Sequence, residues 1–322
     1  MTKNNDNLND KLKDLEKNFG LKRTTKSKEI ETIKTGLFAF DYCLGQGIQL
    51  VEGGHKIELS GKESSGKTTF ALRTVARFQE LGKICVWVVS ERFDDEWAIK
   101  NGIDISKLLK YYPNSVEDAT EKILELVHDV DLIVIDSVAS LVPEAELEKT
   151  MFEQTRGQGA KAYAQFTRKL YQKIAHETTA IMWINQIREK MGVMYGNPET
   201  TPCGRALKHM ADTRIEFRPG KPIDKGVGDK KERIGIEINL KGVKNKMGTA
   251  QRRATIDFYF KDGKIDNYKN LLYAGIKYNV IEFSGKTYQF GKIKAVGKDN
   301  FIKMLTEENW KVIEKEVWLR LK

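Results

Sequence analysis

The chain has 322 residues, of which 40% are hydrophobic and 31% charged, and its formal net charge is +10. These values fit a large α/β domain with a small appendage, and the positive charge favours a polyanionic partner such as nucleic acid, with plain solubility as the alternative. The apolar runs are shorter than the ~18 residues of a membrane span and the start is polar, which excludes a membrane protein and a signal peptide. The three cysteines are far apart, which excludes a disulfide scaffold, and we predict a cytoplasmic protein.

The first predicted element is an amphipathic helix. Leu8, Leu12, Leu15 and Phe19 recur at steps of four and three residues, and Gly20 follows them. A basic linker with few apolar residues comes next. We assign residues 1–32 to a helix and linker that mediate self-association, with a neighbouring copy as the docking partner of the apolar face.

The central part of the chain alternates between strand and helix patterns. Four apolar runs lack polar alternation and are rich in β-branched residues: 57–59, 84–89, 132–135 and 180–184. Helical patterns at 116–128 and 159–176 separate the last three of these runs. Such a series predicts an α/β fold with a mostly parallel central sheet and helices on both faces.

The pattern changes after Leu207. Alternating segments at 213–217, 235–240 and 254–260 predict antiparallel strands that extend the sheet. Beyond Asp262, a turn at Ser284-Gly285 and a final helix with Trp310 on its apolar face indicate a small α+β domain. We therefore expect a core at 33–261 and a small C-terminal domain at 262–322, whose predicted DNA-binding role depends on its charge.

The strongest motif follows the strand at 57–59. It matches G-x-x-x-x-G-K-[ST], and its residues predicted to bind the nucleotide are Gly61, Glu63, Ser64, Ser65, Gly66, Lys67, Thr68 and Thr69. Glycines allow backbone N–H groups to surround a phosphate, the helix N-terminus adds its dipole, and Lys67 reaches the β and γ oxygens. A glycine turn that merely begins a helix is the structural alternative.

Two carboxylates complete the predicted site. Asp136 ends the apolar strand at 132–135 and is expected, with Thr68, to hold Mg²⁺ for ATP. Asp131 precedes that run and would lie at the opposite end of the strand. Glu91 follows the strand at 84–89, at the sheet edge where ligands bind, and is the candidate catalytic base. Taken alone, each could be an ordinary strand-end residue.

Several motifs together resemble the bacterial RecA recombinase family. They are the phosphate loop, Ile135–Ala139, Ile184-Asn-Gln-Ile-Arg188, Gly192–Thr201 and Gly204-Arg-Ala-Leu-Lys208, with Ile33–Leu37 and Val243–Lys246 in agreement. The stretch 184–208 is the most specific, because other P-loop ATPases do not carry it. The resemblance covers nearly the whole chain and implies a RecA-type ATPase core.

The resemblance also implies roles for individual residues. Glu91 matches the glutamate that activates water, and Gln186 matches the glutamine that senses the γ-phosphate. Asp94 or Asp95 and Trp97 occupy the positions of the adenine contacts, although a Trp on an apolar helix face is usually a core residue. Lys244 and Lys246 match the lysines that reach a neighbour's ATP across a filament interface. The structural alternative is that they are two exposed lysines in a loop.

The resemblance places two DNA-binding loops. One lies near 148–157 and the other at 187–204, and the residues predicted to contact DNA are Arg156, Arg168, Arg188, Lys190, Met191, Asn197 and Arg205. Contacts to the backbone predict sequence-neutral, salt-dependent binding. The implied function is a filament on single-stranded DNA that pairs with a homologous duplex and exchanges strands, with DNA-stimulated ATP hydrolysis.

The sequence departs from the family at three positions and at its basic C-terminal part. His209 replaces a usual aromatic, Lys62 a usual proline and Arg156 a usual apolar residue. Residues 261–322 hold 13 Lys+Arg against 8 Asp+Glu, so this part should attract a DNA backbone, with a solvated lysine face as the alternative. Two other functions remain open: a ring-forming helicase or motor on the same core, and a DNA-coating protein that binds ATP without hydrolysing it.

Overall fold

The computed structural model describes residues 2–20, 30–148, 158–189, 199–226 and 228–321. The chain divides into two compact units, Met1–Glu31 and Thr32–Lys322. The first unit contains helix α1 (Thr2–Phe19). Leu8, Leu15 and Phe19 on this helix are exposed, so its apolar side has little cover within its own unit.

The second unit alternates strands and helices through the predicted α/β region. In chain order its helices and strands are β1 (Glu31–Ile33, which begins at the unit boundary), α2 (Phe38–Leu44), β2 (Ile48–Leu50), β3 (Lys56–Gly61), α3 (Lys67–Glu80), β4 (Cys85–Val89), α4 (Asp95–Lys100), β5 (Leu108–Tyr111), α5 (Val116–Leu126), β6 (Leu132–Asp136), α6 (Glu144–Leu147), α7 (Gln158–Lys173), β7 (Ala180–Gln186), β8 (Arg188–Glu189), β9 (Glu199–Thr200), α8 (Ala206–Met210), β10 (Thr213–Lys225), β11 (Glu232–Asn245), β12 (Arg253–Tyr259), α9 (Asn267–Lys277), β13 (Glu282–Ser284), β14 (Thr287–Phe290), β15 (Ile293–Val296), α10 (Lys298–Met304) and α11 (Glu307–Arg320).

The central sheet has eight strands in the order β12-β11-β10-β3-β7-β6-β4-β5. The strands from β10 to β5 are parallel to one another, and β11 and β12 extend the sheet in antiparallel register. The predicted mostly parallel sheet is therefore confirmed.

Successive residues of the central strands point to opposite faces of this sheet. Cys85 and Trp87 of β4 pack in one apolar core with α2 and α3, whereas Val86 and Val88 pack in a second core with α5 and α7. Helices cover both faces, which explains why these strands are apolar without alternation. The predicted fold class is confirmed.

Three details of the sheet differ from the sequence prediction. The segment that begins at Thr213 was expected to be antiparallel, but β10 is parallel to β3 and only its partner β11 is antiparallel to it. β10 and β11 are also longer than the predicted 213–217 and 235–240, since polar residues continue their hairpin beyond the core. The edge strand β5 was not predicted, because Leu108–Tyr111 exposes part of its length and lacks an apolar run.

The C-terminal part has a small three-stranded sheet, β13-β14-β15, flanked by α9, α10 and α11. Its apolar residues form their own core around Phe301, Trp310 and Ile313, joined by Phe38 from α2. The boundary at 261/262 remains a prediction. Among the described residues, no helix is long and apolar enough to cross a membrane.

Candidate functional site

Four neighbouring strands bring the predicted catalytic residues to one edge of the sheet. The carboxyl ends of β3, β7, β6 and β4 lead respectively to the phosphate loop, to Gln186, to Asp136 and to Glu91. Parallel strands place their carboxyl ends at the same edge, where ligands bind in α/β folds. Asp131 lies at the other end of β6, where its side chain accepts a hydrogen bond from the Ile84 N–H at 2.9 Å, as predicted.

The phosphate loop has the tight backbone that its sequence predicts. Gly66, immediately before α3, has a φ of +87° and Ser64 has a φ of +55°, a region that favours glycine. A Cβ on Gly61 would lie 2.6 Å from the Phe217 carbonyl oxygen, so only glycine fits beside β10. These residues form a strand–loop–helix cradle for a phosphate group.

Lys67 lies within this loop. Its Nζ donates hydrogen bonds to the carbonyl oxygens of Gly61 at 3.1 Å and Lys62 at 2.8 Å. Burial lowers the pKa of Lys67, while Asp136 and Glu91 act in the opposite direction. The loop therefore holds a cation beside its N–H groups, and the resulting positive field fits the β and γ oxygens of a nucleotide.

Thr68 and Asp136 meet as the motif predicts. The Thr68 hydroxyl forms a hydrogen bond with the Asp136 carboxylate, and Asp136 is 8% exposed. Burial raises the pKa of Asp136 to about 6, Glu91 adds to the rise, and Thr68 and Lys67 oppose it. A hydroxyl and a carboxylate beside a phosphate loop are the oxygen ligands that Mg²⁺ takes with a nucleotide.

Glu91 and Gln186 are in direct contact, although 95 residues separate them in sequence. The Gln186 Nε2 donates to Glu91 Oε1 at 3.2 Å, and the same oxygen accepts the hydroxyls of Ser137 at 2.8 Å and Ser140 at 2.7 Å. The two serines were not predicted as site residues. Ser137 follows Asp136 directly, but a hydroxyl after a strand gives no signal by itself.

A cleft lies between α3 and α4, where the nucleotide base is predicted to bind. The cleft there is lined by Thr68, Leu72, Trp87, Glu91, Arg92, Phe93, Asp94, Trp97 and Asp136. Asp94 caps α4 by accepting the Trp97 N–H at 2.9 Å, and Asp95 pairs instead with Lys110 at 2.8 Å. Of the two aspartates, Asp94 therefore lies in the cleft. Arg92 and Phe93 also line it and were not predicted.

Lys244 and Lys246 lie far from this edge. Lys244 of β11 is paired with Arg214 of β10, which is in turn paired with Glu58 of β3. Glu58 is three residues before Gly61, so at ~3.3 Å per residue Lys244 is level with a point ~10 Å along β3 from the phosphate loop. Its Nζ donates to the carbonyls of Lys208 at 3.0 Å and His209 at 2.9 Å. Lys246 lies 3.5 Å from Asp212 and is 55% exposed.

Three predicted DNA contacts are described, and all three side chains are exposed: Arg168 on α7, Arg188 on β8 and Arg205 before α8. β8 pairs with β9, so residues 188–189 lie beside 199–200. Arg218 of β10 joins Glu199 of β9, with one N–O distance of 3.3 Å. Arg156, Lys190, Met191 and Asn197 lie outside the described residues.

A doubly wound sheet with this loop, hydroxyl and carboxylate defines a P-loop nucleotide-binding protein. The family model for the RecA N-terminal domain matches residues 6–265. The chain is also similar to Protein RecA of Thermus thermophilus, at 38% identity over 93% of this chain and 89% of that protein. Protein RecA of Clostridium acetobutylicum is 38% identical over 92% of this chain and 86% of its own length. Protein RecA of Aquifex pyrophilus is 37% identical over 98% of this chain and 94% of its own length.

The chain therefore belongs to the RecA recombinase family, which confirms the resemblance seen in the motifs at 184–208. The ring-forming motor receives no support from these comparisons. Membership makes nucleotide binding, ATPase activity, DNA binding and filament formation properties of this chain's family, and it leaves the roles of individual residues to be argued from the site.

Proposed function

We propose that this protein is an ATP- and Mg²⁺-dependent recombinase that forms a helical filament on single-stranded DNA. It pairs that strand with a homologous duplex and exchanges strands, and DNA stimulates its hydrolysis of ATP to ADP and phosphate. The contact between Glu91 and Gln186 carries the proposal. It joins the candidate base to the residue from which the chain enters the predicted DNA loop at 187–204.

Each group at the sheet edge has a part in hydrolysis. The loop N–H groups and Lys67 bind the phosphates, while Thr68 and Asp136 would hold Mg²⁺, which would supply neutralising charge to the phosphate oxygens. Glu91 accepts a proton from the attacking water, and Ser137 and Ser140 orient its carboxylate. Gln186 is positioned to respond to the γ-phosphate and to shift the chain that follows it.

DNA binding is assigned to exposed cations beside the two predicted loops. Arg188 lies within the second loop and Arg205 directly follows it, and Arg168 lies on α7, which follows the first. Such side chains bind phosphates without reading bases, so binding should be sequence-neutral and sensitive to salt. The basic residues Lys286, Lys292, Lys294 and Lys298 make the C-terminal part a second candidate surface for a duplex.

Lys244 and Lys246 are assigned to the nucleotide of a neighbouring copy. Their position away from the chain's own phosphate loop supports a role across an interface, where cations stabilise charge in the transition state. The nucleotide would then join adjacent copies, and its hydrolysis would loosen the filament.

One experiment separates the three functions that the sequence left open. ATP hydrolysis is measured with and without single-stranded DNA, and the products are viewed by electron microscopy. Filaments with DNA-stimulated hydrolysis support the recombinase. Closed rings that unwind a duplex would support the motor, and filaments without turnover would support a passive DNA-coating protein.

A further inference from the structure

Trp97 is held by two elements besides its own helix. Its indole Nε1 donates to Thr69 Oγ1 on α3 at 3.3 Å. The benzo ring of the indole, at Cη2 and Cζ2, packs against Gly263, in the turn between β12 and α9, where a Cβ would lie 2.9 Å from the indole Cη2. Gly263 also has a φ of +63°, so a side chain there would be strained as well as crowded.

Arg73 joins the same three elements. It lies on α3 one turn after Thr69, and it is half-buried. Its Nε donates to Asn101 Oδ1 at 3.0 Å and its NH2 donates to the Gly263 carbonyl at 3.3 Å. Asn101 in turn donates from Nδ2 to the Trp97 carbonyl at 2.9 Å, so the guanidinium and one amide fix both the helix and the turn that hold the indole.

This arrangement requires the shape of arginine. Asn101 is 1% exposed, and its amide oxygen needs a donor that reaches it within the protein. Burial lowers the pKa of Arg73, because removing the charged guanidinium from water is unfavourable. A planar guanidinium directs N–H groups at two separate oxygens, whereas the ammonium of lysine is a single point donor.

We propose that Arg73 is a positioning residue for recognition of the nucleotide base, because it holds Trp97 through Asn101 and Gly263. The inference rests on the proposed function, in which Trp97 contacts the base. Arg73 itself is bound to protein oxygens and is not assigned to the phosphates. Its removal should therefore weaken binding of the base and leave the phosphate site and the hydrolytic step intact.

The test is Arg73→Met, with Arg77→Met as the matched control. Arg77 lies one turn further along α3, where it pairs with the exposed Glu80. The KM and kcat of ATP hydrolysis are measured together with the inhibition constant of inorganic tripolyphosphate, which has the phosphates and no base. We expect the KM for ATP to rise about three- to tenfold in Arg73→Met, the size of one aromatic contact. The kcat and the tripolyphosphate constant should change less than about twofold.

Two more variants make the result decisive. Gly263→Ala should give the same selective rise in KM, because the added methyl group would displace the benzo ring of the indole, and the KM of Arg73→Lys should lie between those of Arg73→Met and the native chain. If Trp97→Ala leaves the KM for ATP unchanged, the base contact of the proposed function fails. If Trp97→Ala raises the KM but Arg73→Met does not, or if Arg73→Met weakens tripolyphosphate equally, Arg73 has no positioning role for the base.

Discussion

Glu91 accepts three hydrogen bonds on one carboxylate oxygen, so its orientation is fixed before any substrate arrives. Glu91→Gln keeps the size of the side chain and an oxygen for the same donors, but its amide nitrogen cannot accept a proton. We expect kcat for ATP hydrolysis to fall at least ~100-fold. The KM for ATP should stay within about threefold of the native value, since the groups that bind ATP are retained.

Steady-state hydrolysis and filament lifetime on single-stranded DNA are the measurements for this variant. Filaments of Glu91→Gln should persist longer after dilution, because in the proposed function hydrolysis loosens the filament on DNA. Glu96→Gln, an exposed glutamate on α4, is the control for loss of a charge nearby. Normal turnover by Glu91→Gln would mean that another group is the base.

Individual site residues could be predicted to different degrees. Lys67 and Thr68 follow from a motif whose spacing is set by phosphate geometry, and Asp136 follows from its place at the end of an apolar strand. Ser137 and Ser140 could not be found, because their role depends on a contact with Glu91 across two strands. Arg73 was missed for the same reason: its partners Asn101 and Gly263 are remote in sequence.

Asp41 on α2 is a buried acid outside the nucleotide site. Its Oδ1 accepts the N–H and the hydroxyl of Thr35, at 2.9 and 2.8 Å, and its buried Oδ2 has no hydrogen-bond partner within the described residues. Burial raises the pKa of Asp41 to about 7, although the bonds from Thr35 lower it. An unfolded aspartate has a pKa of ~3.9, so between these values the folded chain holds a proton that the unfolded chain has released.

The stabilising contribution of protonated Asp41 is therefore present below about pH 4 and is lost as the pH rises through about 7. Asp41→Asn is neutral throughout, so the stability of the variant relative to the native chain should increase from about pH 5 to about pH 8, on the order of a few kcal/mol. Urea unfolding at both pH values measures this, with the exposed Asp129→Asn as control. An equal difference at both values would contradict the raised pKa.

At the scale of elements, the hairpin of β8 and β9 brings together the ends of the predicted second DNA loop. Arg188 lies on β8 opposite Thr200, and its side chain is exposed. Arg188→Ala should weaken binding of single-stranded DNA equally for all sequences. It should also reduce the slope of log affinity against log salt by about one unit for each phosphate that the side chain neutralises.

Fluorescence binding at several salt concentrations, with two unrelated oligonucleotides, checks the effect of Arg188→Ala. Arg77→Ala on α3 removes a half-buried surface cation distant in sequence from both predicted loops and is the control. A normal salt slope in Arg188→Ala would show that this side chain does not contact a phosphate. A loss confined to one oligonucleotide would instead indicate base readout.

Elements with a strong local signal were predicted, whereas the direction of β10, the full length of its hairpin with β11 and the edge strand β5 were not. The buried strands β3, β4, β6 and β7 are visible as apolar runs. β10 alternates like an antiparallel strand, yet it pairs with β3 in parallel along one edge and with β11 in antiparallel register along the other. Alternation of apolar and polar residues indicates that one face of a strand is polar, but it does not indicate the direction of the strand.

At the scale of the whole molecule, the two ends of the sheet carry complementary halves of one proposed catalytic unit. Glu91, Gln186 and the phosphate loop lie at the carboxyl ends of the parallel strands, whereas Lys244 is held by the carbonyls of α8 and Lys246 lies near Asp212 further back. In the proposed filament, copies stacked in one direction would bring the lysines of one copy to the nucleotide of the next. Neither half should then suffice in isolation.

Mixing two inactive variants tests this division. Glu91→Gln lacks the base but retains both lysines, and Lys244→Ala/Lys246→Ala retains the base but lacks the lysines. In an equal mixture that assembles at random, a working site forms wherever a copy with Glu91 meets a neighbour with the lysines, so hydrolysis should recover to about a quarter of the native rate on single-stranded DNA. A third variant, Lys67→Ala, distinguishes the two halves, because it retains Lys244 and Lys246 but lacks a working phosphate site of its own. Mixed with Lys244→Ala/Lys246→Ala, it should restore hydrolysis. Mixed with Glu91→Gln, it should not, since neither copy then has both the base and the phosphate site. If the mixture of Glu91→Gln with the double variant hydrolyses no faster than the sum of the two alone, the lysines do not act on a neighbour's nucleotide.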